Sequence, residues 1–126
     1  MWLAEKRTAI TTTQFALKLP RGEDIDVAAF KQEAGIWIQV SGHPNVLPLI
    51  EADIYENQVV IVSEYVPDGS LAGWLKQHGG RSPSAEAACE IMDGVLAGLA
   101  HLHARRIIHR DLKPEFGEGS DCVWRA

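Results

Sequence analysis

Two cysteines in 126 residues, Cys89 and Cys122, cannot build a disulfide framework, and their spacing matches no zinc site. Reduced thiols in a cytoplasmic protein are the simpler reading. Positive charge is also scarce: 12 Lys and Arg against 17 Asp and Glu leave a net charge of −5. The basic footprint of a nucleic-acid binder is therefore missing. No apolar stretch approaches the roughly 18 residues that span a bilayer, so no membrane segment is expected. The run Val59-Val60-Ile61-Val62 is short enough to be one buried strand. The opening Met1-Trp2-Leu3-Ala4-Glu5-Lys6 lacks the apolar core of a signal peptide. What is present is ordinary: 46% apolar and 23% charged residues, enough for one domain with a modest core. There are no internal repeats.

The pattern predicts strands over 2–8 and 13–19, joined at Thr11-Thr12-Thr13 and broken at Pro20-Arg21-Gly22-Glu23-Asp24. A helix follows from about Asp26 to Gln39, capped by Asp24 or Asp26, with Phe30, Ala34, Trp37 and Ile38 on one side. Two more strands cover roughly 47–55 and 58–65, turning at Glu56-Asn57. Leu71, Trp74 and Leu75 suggest a short helix, stopped by Gly79-Gly80. The longest helix opens at Ser82-Pro83, with Ser82 as N-cap, and runs to about Ala104. Its stripe is Ile91, Val95, Leu99 and Leu102, widened by Met92 and Leu96. The order of strands, helix, strands, then helices is α+β in two lobes.

Four segments carry chemistry. Phe15-Ala16-Leu17-Lys18-Leu19 is a strand bearing a cation beside a small residue. Glu33 is a carboxylate at the edge of the apolar side of the first helix. Val59 to Val66 reads V-V-I-V-S-E-Y-V, a strand running into a loop. Alone, these three equal an amphipathic strand, a solvated carboxylate and a buried strand. The fourth is more specific: His109-Arg110-Asp111-Leu112-Lys113-Pro114 follows a long helix ending Leu99-Ala100-His101-Leu102-His103. It sets a carboxylate two residues before an ammonium, which a chance charged loop explains poorly.

In this order, the segments resemble a eukaryotic-type (Hanks-type) serine/threonine protein kinase domain, of the sort also found in bacteria. The resemblance covers roughly residues 1–115. It implies a protein-kinase-like fold: an incomplete antiparallel N-lobe sheet with its αC helix over 1–65, then the hinge, first C-lobe helices and catalytic loop over 66–115. It implies ATP and Mg²⁺ as cofactors and Ser/Thr hydroxyls of a protein as acceptors. By it, Ala16 leaves room for adenine, Lys18 reaches the α- and β-phosphates, and Glu33 pairs with Lys18. The carbonyl of Glu64 and the N–H of Val66 meet the adenine edge, with Ser63 as gatekeeper and Asp68 or Ser70 near the ribose. Asp111 receives the hydroxyl proton, and Lys113 neutralises the moving phosphoryl group. His109 is structural, and Arg110 answers a phosphorylated loop. Lys-Pro after Asp-Leu is the Ser/Thr form.

The sequence also departs from the pattern. These 126 residues hold no G-x-G-x-x-G; Trp2-Leu3-Ala4 resembles the strand after it. Phe116 stands where the catalytic loop carries Asn, and there is no D-F-G or A-P-E. The expectation is a kinase domain truncated at both ends, without metal ligands and inactive alone, with residues 116–126 an unrelated or disordered tail. A frameshift, a shortened reading frame or a cloning junction would each produce such a tail. Retained Lys18, Glu33 and Asp111 point to a catalytic ancestor; a pseudokinase-like binding module or the product of a broken gene is the alternative.

Overall fold

The computed structural model describes residues 2–19, 26–56 and 58–115. Among the described residues four strands and three helices form: β1 (Trp2–Arg7), β2 (Thr12–Lys18), α1 (Val27–Val40), β3 (Leu49–Tyr55), β4 (Gln58–Glu64), α2 (Leu71–Gln77) and α3 (Ala85–Ala104). The class is α+β, as the pattern of elements predicts. The strands lie in the order β1-β2-β4-β3, every neighbouring pair antiparallel. Contacts divide the chain into two compact units, one of residues up to 41 plus 48–66, the other of 42–47 and the residues from 67 onward.

In the first unit, the β1–β2 turn is tied locally. The Thr8 amide donates to the Thr11 carbonyl at 2.8 Å, and the Thr11 amide to Thr8 Oγ1 at 3.0 Å. β4 alternates cleanly: Val59, Ile61 and Ser63 are buried, while Val60, Val62 and Glu64 are partly exposed. That period of two assigns one face of the sheet to the core. Asp26 caps α1, its Oδ1 accepting from the amides of Ala28 and Ala29 at 2.9 and 3.1 Å. Trp37 and Val40 are the buried residues of this helix. Ile38, expected beside Trp37, is 59% exposed. One residue is about 100° of helix rotation, enough to carry it off the face that Trp37 and Val40 define.

The second unit is built on α3. Ser84, not Ser82, caps it: Ser84 Oγ accepts from the Ala87 amide at 3.1 Å, and Ser82 donates its hydroxyl to the Ser84 carbonyl instead. Extended backbone at Ser84 delays the first turn until after Pro83. Gly98 and Leu102 are the buried residues of α3, and Met92 and Leu96 are half or more exposed. The stripe is thus narrower than the apolar pattern suggests. The cause is the 43–47 segment, whose Val46 and Leu47 are buried. It comes close at Gly94, where an added Cβ would lie 3.0 Å from Asn45 Nδ2. His43 packs its ring on His101, centroids 4.6 Å apart. Positions 94, 98 and 101 share one helix side, and that side turns inward.

Both helices of this unit end in one motif. After α2, Gly79 takes φ 73°, its amide reaching the Lys76 carbonyl, while the Gly80 amide reaches that of Leu75. After α3, Arg106 takes φ 61°, its amide reaching the His103 carbonyl, and the Ile107 amide that of Leu102. This is a Schellman ending, in which the left-handed residue is usually glycine. No helix among the described residues is long and apolar enough to cross a membrane.

Candidate active site

In the first unit, strand register does the positioning. Ala16 pairs with Ser63, and Ser63 pairs with Leu49 on its other side. Ala16, Ser63 and Leu49 are all buried. One step along, Lys18 pairs with Ile61, and Ile61 with Ala52. Directly opposed residues share a sheet face, so Ala16 and Lys18 emerge on the face that holds Ile61 and Ala52. Those two residues line a narrow cavity against α1 with Phe30, Glu33, Ala34, Trp37 and Leu49. Lys18 and Glu33 therefore address one row of the sheet from two elements. Glu64 ends β4; its amide donates to the Pro48 carbonyl at 3.3 Å. Val66 follows, half-buried, in the chain leaving the sheet.

In the second unit, the candidate catalytic residues stand on irregular chain beyond the α3 ending. Lys113 Nζ lies 3.1 Å from Asp111 Oδ2, an ion pair about half open to solvent. The Asp111 amide donates to His109 Nδ1 at 3.3 Å. Burial holds the half-buried His109 below the ordinary imidazole range, and the nearby Asp111 carboxylate opposes that only in part. Arg110 between them takes φ 66°, a left-handed backbone that costs a non-glycine residue roughly 1–2 kcal/mol. The segment's exit is tied to α2, the Ala72 amide donating to the Pro114 carbonyl at 2.8 Å. Ser70, expected near a ribose, is the N-cap of α2, its Oγ accepting from the Gly73 amide at 3.1 Å. A carboxylate beside an ammonium can take a proton from a hydroxyl while the ammonium balances anionic charge on the other reactant.

A divalent cation fits this donor set poorly. The phenyl ring of Phe116 stands where the resemblance requires a carboxamide, and it offers no lone pair. Phe116 and the rest of 116–126, including the expected tail, lie outside the described residues, as does the Pro20–Asp24 break.

Two local links had gone unforeseen. One is the approach of His43 and Asn45 to α3; its signal was Gly94 in an otherwise good helix. The other is the backbone bond from Ala72 to Pro114, which no residue type announces.

An antiparallel four-stranded sheet with one inserted helix, then a long helix leading into His-Arg-Asp, is the build of the first part of a kinase catalytic domain. Comparison with known proteins agrees: residues 5–116 match the family described as protein kinase domain. The chain belongs to that family. The probable serine/threonine-protein kinase PknB of Lactococcus lactis is 35% identical over 94 residues, covering 74% of this chain and 14% of that protein. Mouse death-associated protein kinase 2 is 40% identical over 87 residues, 68% of this chain and 22% of the relative. The tyrosine-protein kinase SRK3 of Spongilla lacustris is 30% identical over 114 residues, 88% and 34% respectively. The chain thus spans about a third or less of each of these relatives.

Proposed function

We propose that this chain carries the adenine- and phosphate-facing strand and the catalytic loop of a serine/threonine protein kinase, which moves the γ-phosphoryl group of ATP to Ser/Thr hydroxyls of a protein. The observation that carries the reading is the Asp111–Lys113 pair, 3.1 Å apart inside His109-Arg110-Asp111-Leu112-Lys113-Pro114. Asp111 would accept the hydroxyl proton, and Lys113 would meet the charge on the transferring group. Ala16 would leave space for the adenine, with the Glu64 carbonyl and the Val66 amide on its edge. Lys18, steadied by Glu33, would hold the α- and β-phosphates. The Lys-Pro at 113–114 and the serine/threonine-protein kinase of Lactococcus lactis among the relatives support the acceptor type.

The same family uses Mg²⁺ to balance the triphosphate charge, and the donors for it do not fit in these 126 residues. Electrostatic stabilisation supplies most of the rate in phosphoryl transfer. The 126-residue chain is therefore expected to transfer no phosphate above background. Labelled ATP and a mixed Ser/Thr protein acceptor test this. Sustained Mg²⁺-dependent transfer, abolished by Lys18→Ala, would overturn the inactive reading. Phe116 favours a second reading for the isolated chain, a non-catalytic, pseudokinase-like binding module.

A further inference from the structure

The two outer strands of the sheet differ in what they offer a further strand. Among the described residues these are β3 and β1. β3 is defended: its register shifts between Leu49 and Glu51, and the Ile54 amide donates to Asp53 Oδ1 at 2.7 Å. Bulges and charged side chains keep an edge from pairing. β1 runs in unbroken register with β2, from Trp2 opposite Leu17 to Arg7 opposite Thr12. The bond from the Thr8 amide to the Thr11 carbonyl sets the phase of that ladder. Opposed residues alternate between bonded and unbonded pairs. Trp2, Ala4 and Lys6 therefore bond to β2, and the backbone N–H and C=O groups of Leu3, Glu5 and Arg7 point outward. The side-chain bonds of β1 leave those groups untouched: Arg7 Nη2 donates to Glu5 Oε2 at 2.8 Å, and Gln14 Nε2 to Glu5 Oε1 at 3.2 Å. Trp2 and Leu3 are 64% and 53% exposed beside them.

A closed pair of identical chains has a two-fold axis, and two copies of β1 related by it run antiparallel. The outward groups then pair odd positions with odd positions. Two registers overlap the strand furthest, one centred on Ala4 over residues 2–6, the other centred on Glu5 over residues 3–7. The second sets the Glu5 carboxylate directly opposite its own copy, which is destabilising. The first sets Leu3 opposite Glu5, bonded through both backbones, and Ala4 opposite Ala4 in a closely spaced, unbonded pair. It also sets Trp2 opposite Lys6 on one sheet face, an indole facing an ammonium. In that register the strand is complementary to itself in charge. We propose that a second copy of this chain is the partner of the β1 edge, the two sheets joining across it in the register centred on Ala4.

Sedimentation of the 126-residue chain tests the pairing. An interface of one strand is small and its association weak, so the average mass should rise from monomer toward dimer between about 20 µM and about 1 mM. Leu3→Pro removes an outward donor and spares the ladder to β2, a place where an edge strand tolerates proline. It should stay monomeric at about 1 mM and keep the parent's far-UV spectrum. Register is read separately, in a Cys89→Ser/Cys122→Ser background under oxidised glutathione. Ala4→Cys meets its own copy within disulfide reach, whereas Glu5→Cys lies out of register, roughly 9 Å from its own. Ala4→Cys should therefore form linked dimer at least about fivefold faster than Glu5→Cys. A parent that stays monomeric at about 1 mM, a dimer that Leu3→Pro retains, or Glu5→Cys linking as fast as Ala4→Cys would each overturn the proposal. Should Leu3→Pro not fold, the two cysteine variants decide by the same ratio.

Discussion

Ala16 and Lys18 stand on a strand whose register is fixed from both sides, by β1 and by β4. Asp111 and Lys113 stand on irregular chain, held by one half-exposed ion pair, a long bond from the Asp111 amide to His109, and a backbone tie to α2. The first arrangement is made by many cooperating ladder bonds over a buried face. The second depends on a few local contacts and includes a left-handed Arg110. Exposed ion pairs contribute only about 0–1 kcal/mol. The comparison teaches that the residues proposed to face phosphate are placed by the sheet's core, and the candidate transfer residues by the ends of α2 and α3.

The largest test of this contrast is in the first unit. Trp37 is buried beneath α1 beside the row of Lys18. Trp37→Ala should destabilise the chain by about 3–5 kcal/mol, read by urea unfolding. In the second unit the effect should depend on which side of α3 is struck. Leu102 is 3% exposed and Leu96 is 56% exposed. Leu102→Ala should cost about 2–4 kcal/mol, and Leu96→Ala less than about 0.5 kcal/mol. Equal losses would mean that the inward side of α3 has been misassigned.

The two helix endings give a finer test, because one geometry holds two residue types. Gly79 is at ease at φ 73°, whereas Arg106 is not at φ 61°. Arg106→Gly should stabilise by about 1 kcal/mol, and Gly79→Ala should destabilise by about as much. A loss on Arg106→Gly would show that the arginine side chain does more than end the helix. The smallest expected effect concerns acid. The chain's five histidines, at 43, 78, 101, 103 and 109, all fall in the second unit. His109 is held below its ordinary range by burial. The unfolded chain then takes up its proton first, so this contribution to stability is intact above about pH 6.5 and declines as pH falls below it. Exchange protection should therefore weaken in the second unit before the first, and His109→Gln should remove part of the decline.

Much of this was legible in the residues. The strands, α1 and α3 follow from their periodicities, and the candidate transfer residues were proposed from one contiguous segment. Glu33 was placed at the edge of the buried side by helical spacing, and it lines the cavity there. Other features depend on groups far apart in sequence or on competition between near-equal options. Ser82 and Ser84 are alternative caps, and only the backbone path after Pro83 decides between them. Ile38 is as apolar as its neighbours, but Trp37 and Val40 take the inward direction. Met92 and Leu96 fit the apolar stripe, yet Asn45 approaches on another side, at Gly94. Arg106 is a residue that propensity would not choose for a left-handed position, so the α3 ending could not be read from its type. The match to the family ends where Phe116 replaces the expected donor, and that too is plain in the sequence.

The central proposal is that the Lys18 strand is a nucleotide-phosphate site at which these 126 residues hold ATP without a divalent cation. Equilibrium titration of the 126-residue chain with ATP, in Mg²⁺ and in EDTA, tests it most directly. The account predicts binding that Mg²⁺ changes by less than about threefold, that Lys18→Ala weakens about tenfold or more, and that Leu96→Ala leaves alone. Binding that Lys18→Ala does not weaken, or that appears only with Mg²⁺, would contradict it.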